Sequence, residues 1–224
     1  ALPIYGNLLT CRDWSHGWLN EGFTTYMECC WQQEELGDEE FQYYMLMEAQ
    51  HYIDEDKNSY RRPIVCNRYH EPIDLFDRHL YNKGGMVQHM LRYQLGEKLF
   101  WKALKLYTER HAGQTVVTTD WQKAIEDATG RNMDEFFDQF VYGGGHPDFK
   151  LSFKYDAGRK LASLGVNQTQ KPDDLTAIFK LPVTIAFTQL GTGGKKARTE
   201  KATINVDKAE QVFNLPLDFE PDFV

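Results

Sequence analysis

The sequence predicts an α+β chain of two parts, a mainly helical part over residues 1–147 and a small antiparallel β-sandwich over residues 148–224. Two observations lead to this prediction. Before the glycine-rich segment 143–147, apolar residues recur at steps of three and four, which is the period of an amphipathic helix. After that segment they alternate with polar residues, which is the period of a half-buried strand.

Six helices are predicted in the first part. The first ends at Gly37, and Asp38 is expected to cap a second helix over residues 39 to about 54. Residues 59–77 contain two prolines and show no steady period, which predicts a loop, and loops of this length are often functional. Helical spacing resumes near residue 79. The last two of the four remaining helices are capped by Thr119 or Asp120 and by Asn132.

In the second part, alternating apolar residues predict strands around residues 149–155, 181–187, 202–206 and 212–213. Turn-forming residues separate them at 156–158, 171–174 and 191–194. About five short strands of this kind are typical of an immunoglobulin-like sandwich.

Composition excludes several classes of protein. The 224 residues carry 25 Lys and Arg against 33 Asp and Glu, a net charge of −8, which argues against nucleic acid as a partner. The one basic cluster, at residues 195–201, is interpreted as a solvated turn. No apolar run is long enough to span a membrane, so no membrane association is expected. The four cysteines lack metal-binding spacing and favour a reducing, cytoplasmic compartment.

The most informative stretch is WLNEGFTTYME at residues 18–28. Taken alone, Glu21 is an acid in the first turn of a helix, where it pairs favourably with the helix N-terminus. Three ordered blocks change this interpretation: GNLLT with the following Trp14 and WLNEGF, then YNKGG at 81–85, then the run from 119 to 147. Together they resemble the aminopeptidase N and leukotriene hydrolase family of zinc metallopeptidases.

The resemblance implies a thermolysin-like helical domain followed by a β-sandwich, and hydrolysis of the N-terminal bond of peptide substrates by a water activated on Zn²⁺. In this family two histidines of an H-E-x-x-H motif and a downstream glutamate hold the zinc. Glu21 matches that glutamate. Tyr81 matches the tyrosine that donates a hydrogen bond to the developing oxyanion.

Two residues close to Glu21 in the sequence are also candidates for a role at the site. Glu28 lies two helical turns further along, where it either accepts a hydrogen bond from a ligand histidine or is an ordinary surface acid, and both interpretations stay open. Asn20 is expected to orient backbone.

The sequence departs from the family pattern at its start. The family places 18 residues between the second histidine and the ligand glutamate, which puts that histidine at Leu2. The seven histidines present include no pair at ligand spacing. We therefore expect a fragment that begins inside the zinc motif, whose partners are the missing N-terminal segments of the same protein, and which is inactive alone.

The alternative is a non-catalytic scaffold of the same fold with a degenerate zinc site. Leu2 in place of a histidine favours it. The codons upstream of Ala1 distinguish the two hypotheses, since an intact H-E-x-x-H there supports the enzyme.

Overall fold

The computed structural model describes residues 4–191 and 196–224. The chain divides into two compact units, Ala1–Gly145 and His146–Val224. Within the described ranges, every α-helix lies in the first unit and every antiparallel sheet in the second, which confirms the predicted order of helices and strands. Leu2 and Lys195 lie outside the described residues, as does most of the turn predicted at 191–194.

The first unit holds six α-helices and one pair of short parallel strands in its described part. These elements are β1 Leu9–Cys11, α1 Trp18–Leu36, α2 Asp38–Asn58, α3 Gly84–Leu95, α4 Glu97–Arg110, β2 Gln114–Val116, α5 Thr118–Thr129 and α6 Asp134–Phe137. Residues 59–71 have no regular structure, as predicted, and a 3₁₀ turn follows at Pro72–Leu75. Two single π-helical turns, His79–Lys83 and Asp138–Tyr142, precede α3 and follow α6.

An aromatic core surrounds α1. The Phe23 ring is fully buried and stacks on Tyr5 at 4.7 Å and on Tyr107 at 5.7 Å between ring centroids. The indole of Trp121 meets the same ring edge-on at 5.3 Å. Because each such side chain removes a large apolar area from water, this cluster fixes α1, and with it the first turn of α1, against α4 and α5.

All three predicted helix caps are shifted, and for α6 the cap position is Met133 instead of Asn132. Asp38 is the first residue of α2, and the cap position is Gly37, whose φ of +98° favours glycine. Asp120 lies inside α5, where its carboxylate accepts a hydrogen bond from the Val117 N–H at 2.8 Å. Both acids still stabilise the helix N-terminus, because they lie in its first turn.

The second unit contains two antiparallel sheets. Strands β3 Phe149–Asp156, β4 Leu161–Gln168 and β7 Glu210–Pro216 form one sheet in the order β3-β4-β7, and β5 Leu181–Gln189 pairs with β6 Arg198–Val206. Both sheets contribute to one buried cluster, which includes Leu164 of β4, Phe187 of β5 and Ile204 of β6. Strand β4 was not among the predicted strands. The immunoglobulin-like topology stays a prediction.

Candidate active site

Glu21 lies in the first turn of α1, where that helix crosses α3. The crossing is made by two glycines: a Cβ on Gly22 would lie 2.9 Å from the Cα of Gly84, and a Cβ on Gly84 would lie 3.0 Å from the Cα of Gly22. No side chain fits between the two backbones at these distances. The close approach brings the turn that precedes α3 next to Glu21.

Tyr81 lies in that turn. We call the π-helical turn His79–Lys83 the Tyr81 turn. The Tyr81 hydroxyl lies close enough to the Glu21 carboxylate for each group to shift the pKa of the other. The structure therefore brings together the two residues that the sequence predicts to act at one site, although 60 positions separate them in the chain.

The environment raises the pKa of both groups above their ordinary values. For Glu21 the cause is partial burial, which the nearby Tyr81 hydroxyl opposes. For Tyr81 the causes are burial and then the nearby negative charge of Glu21. The phenol therefore stays protonated at neutral pH and is available as a donor.

Two clefts meet at Phe76. One is lined by Glu21, Asn20 and residues of the segment 5–14, and the other, of about 840 Å³, is lined by Tyr81 and residues of the loop 60–78. Phe76 lines both clefts, and its ring lies 5.6 Å from Trp14 and 6.3 Å from Tyr81 between centroids. The Glu21–Tyr81 pair thus borders open space with aromatic walls, as a substrate site requires.

The other candidate residues from the sequence each have contacts of their own. Asn20 is buried, and its Oδ1 accepts a hydrogen bond from the Cys11 N–H at 3.1 Å, which confirms that it orients backbone. Glu28 is exposed on α1, and its charge acts on Glu48 of α2. Its role toward a histidine stays a prediction. His16 Nδ1 is hydrogen-bonded to the Thr118 hydroxyl at 2.8 Å.

A buried charge network lies behind the Tyr81 turn. The Arg62 guanidinium binds both oxygens of Asp77, at 2.7 Å through Nε and 2.6 Å through Nη2. The His79 ring lies between two carboxylates, with Nδ1 3.4 Å from Asp77 Oδ2 and Nε2 3.4 Å from Asp56 Oδ1. Burial alone would lower the pKa of His79, but the two carboxylates together have the larger effect and raise this pKa above its ordinary value. They therefore favour its charged form.

Sequence reasoning missed this network, because it treated His79 as one of several scattered histidines. A local signal was present. The segment Phe76–His79 places an acid, a base and a histidine directly before the Tyr81 block, in a loop long enough to carry function. Its partners Asp56 and Arg62 are close to it only in the fold.

The donor set at Glu21 does not by itself fit a catalytic zinc. Such a site needs three protein ligands and an open position, normally with histidine nitrogen among the donors. Over residues 4–191 and 196–224, no group of three or more His, Cys, Asp or Glu side chains is arranged to hold a metal ion. Glu21 alone supplies one hard oxygen donor.

Comparison with known proteins identifies the family. Residues 4–140 match the model of the peptidase family M1 domain, which is more than half of the chain, so the chain belongs to this family. The resemblance inferred from the sequence blocks is confirmed. No helix in the described ranges is both long and apolar enough to cross a membrane.

Individual relatives agree with this assignment. The chain is 26% identical over 219 residues to puromycin-sensitive aminopeptidase of Caenorhabditis elegans, covering 94% of this chain and 22% of the relative. It is 27% identical over 226 residues to aminopeptidase N of Escherichia coli, covering 93% and 25%. The chain therefore spans a quarter or less of the length of these relatives.

Solved structures give the same result. The M1 zinc metallopeptidase of Deinococcus radiodurans matches with a TM-score of 0.56 and 27% identity over 66% of this chain and 32% of that one. Aminopeptidase A of Legionella pneumophila, solved with aspartic acid, matches with a TM-score of 0.73 over 98% of this chain and 24% of that one. At 18% identity the second match supports the fold alone.

Proposed function

We propose that this chain forms part of a zinc-dependent aminopeptidase that hydrolyses the N-terminal bond of peptides. The observation that carries the proposal is the proximity of Tyr81 to Glu21, at the border of two clefts in a peptidase family M1 domain. A variant of the Deinococcus relative has been solved with a Tyr-Ser-Ala peptide, which supports peptides as the substrate class.

In this proposal Glu21 is one of the protein ligands of the zinc. The remaining ligands and the general base come from outside the described residues. Zinc in such enzymes polarises the carbonyl and the attacking water. Glu21 would hold the metal through its partly buried carboxylate.

Tyr81 acts on the substrate. With Glu21 holding zinc, the phenol hydroxyl of Tyr81 would be free to donate a hydrogen bond to the substrate carbonyl oxygen that becomes negative in the transition state. Removal of one such donor costs about 10²–10³ in kcat in well-studied hydrolases. The residues from about 148 onward then form the β-sandwich that follows the helical domain, with both sheets contributing to one core.

The test uses the protein encoded by the complete reading frame that contains this sequence. We expect bound zinc near one equivalent and turnover of an aminoacyl-anilide. Glu21→Gln should lower both zinc content and kcat, whereas Tyr81→Phe should retain zinc and lower kcat about 100-fold. Matched controls are Glu34→Gln and Tyr93→Phe, exposed residues on α1 and α3.

The scaffold hypothesis makes the opposite prediction for the same protein. It expects no stoichiometric zinc, no turnover, and no effect of either substitution. Zinc content and turnover that are both unaffected by Glu21→Gln would overturn the assignment of this residue.

A further inference from the structure

We infer that Asp56, His79 and Asp77 form a positioning cluster that fixes Tyr81, the oxyanion donor of the proposed function on which this inference rests. The cluster acts through the backbone of the Tyr81 turn and does not touch Glu21 in any contact of the structure.

The Tyr81 turn is anchored on one face of α2. Glu48, Tyr52 and Asp56 are spaced four residues apart and therefore share that face. Asn82 Nδ2 donates to Glu48 Oε2 at 2.7 Å, and Lys83 Nζ lies 5.5 Å from the centre of the Tyr52 ring. Two of the residues that flank Tyr81 are thus held by successive turns of α2.

His79 provides the third anchor and joins α2 to the loop. Its ring lies between Asp56 of α2 and Asp77 of the loop, 3.4 Å from each, and the Tyr60 ring stacks on it at 5.4 Å. Each ring nitrogen therefore lies at ion-pair distance from a carboxylate, although neither makes a hydrogen bond. The attraction of the imidazolium to both carboxylates ties the start of the turn to α2 and to the loop.

Asp77 lies two residues before the Tyr81 turn and binds its backbone. One carboxylate oxygen accepts from the Leu80 N–H at 2.9 Å, and its backbone carbonyl accepts from the N–H of Tyr81 at 3.2 Å. Arg62 and the Tyr60 hydroxyl bind the same carboxylate, each at 2.7 Å or less. Asp77 therefore has no freedom to rotate away from the turn.

The chemistry of the cluster favours positioning over stability. A buried ion pair is often replaceable by apolar residues without loss of stability, because desolvation offsets most of its attraction. What such groups provide is direction, since charge-assisted hydrogen bonds require specific geometry. Here the contacts reach the five residues of the Tyr81 turn, His79–Lys83, and Tyr81 is the middle residue of the five. A donor displaced by about 1 Å can lose about 100-fold in rate.

The first experiment measures the position of Tyr81 without any assay of activity. The 224-residue protein carries 3-fluorotyrosine at position 81 and is examined by ¹⁹F NMR. We expect one sharp resonance in the wild type and a broadened or split resonance in His79→Gln. The matched control is His89→Gln, a largely buried histidine of α3 that contacts Tyr26. It should leave the resonance unchanged.

Glu48→Ala is the second variant, in case His79→Gln does not fold. Glu48 is partly exposed in the middle of α2, where alanine favours the helix, and its loss removes only the anchor of Asn82. We expect broadening of the same kind. A resonance at position 81 that is unchanged in a folded anchor variant overturns the inference.

The second experiment measures rate in the zinc-loaded protein of the complete reading frame. His79→Gln should lower kcat 10- to 100-fold at unchanged KM and zinc content, and should have no further effect in a Tyr81→Phe background. Equal losses in both backgrounds would indicate general damage and overturn the inference. If the wild type shows no turnover, the proposed function fails, whereas the ¹⁹F result still decides the positioning role.

Discussion

Gly22 and Gly84 bring the backbones of α1 and α3 into contact, at a distance where a Cβ on Gly22 would lie 2.9 Å from Gly84. Glu21 directly precedes one of these glycines, and Tyr81 lies three residues before the other. The crossing therefore sets the separation between the carboxylate and the phenol hydroxyl. Two residues without side chains thus determine the geometry of the candidate site.

Gly22→Ala should force the two helices apart. Overpacking of this kind costs about 1–3 kcal/mol, and the helix preference of alanine offsets about 1 kcal/mol of it. We expect a net loss of up to about 2 kcal/mol in the free energy of unfolding, measured with urea. In the control Gly158→Ala, the new Cβ comes no closer than 3.4 Å to a neighbouring atom. Equal stability of the two variants would contradict the prediction.

The loss of the buried Arg62–Asp77 ion pair should reduce the free energy of unfolding far more than the loss of an exposed ion pair. The side chains of Arg62 and Asp77 are 9% and 6% exposed, whereas those of Lys105 and Glu109 are 74% and 66% exposed. Arg62→Met leaves a buried carboxylate without its main partner and should cost about 3–5 kcal/mol. Lys105→Met should cost less than about 0.5 kcal/mol. Urea unfolding of both variants at pH 7 measures the difference, and similar losses would refute it.

Much of the fold follows from the sequence because its signals are local. Helical spacing predicts all six helices, since each buries one apolar stripe against the aromatic core. Strand β4 was missed although it alternates strictly between buried and half-buried residues. Its buried positions Ala162, Leu164 and Val166 are interleaved with Ser163, Gly165 and Asn167, which are typical of turns.

The candidate site is predictable only in part. Glu21 and Tyr81 are recognisable because each lies in a short block that resembles a family motif. The network around His79 is not, because its members come from α2, the following loop and the Tyr81 turn, and only folding brings their charges together. The glycine crossing is hidden for the same reason, since Gly22 and Gly84 are 62 residues apart.

Lys83 should make stability depend on pH. Burial lowers the pKa of this amine to about 7 from its ordinary 10.5, so the unfolded chain binds the proton more tightly. The resulting destabilisation is complete below pH 7 and is relieved as the pH rises towards 10.5.

In the Lys83→Met variant, the side chain at position 83 does not titrate. Its stability relative to the wild type should therefore fall between pH 7 and pH 9, by at most about 1.4 kcal/mol per pH unit. Urea unfolding of both proteins at pH 6, 7.5 and 9 measures this difference. A difference that stays constant over the range would show that the Lys83 amine is not the titrating group.

The 224-residue chain by itself should bind no stoichiometric zinc and should not turn over an aminoacyl-anilide. Of the three protein ligands that a catalytic zinc requires, its described residues offer Glu21. A single carboxylate competes poorly with water for zinc and cannot replace the affinity of two imidazoles. Glu28 cannot compensate, because an outer carboxylate acts by orienting a ligand histidine.

Glu21→Gln should accordingly change neither zinc content nor turnover in this chain, in contrast to its effect in the protein of the complete reading frame. Elemental analysis after dialysis against zinc measures the metal, and release of the anilide measures turnover. The contrast between the two forms of the protein is the informative quantity, because the same substitution is made in both. Near-stoichiometric zinc in the 224-residue chain, lost on Glu21→Gln, would mean that other residues of this chain complete the site.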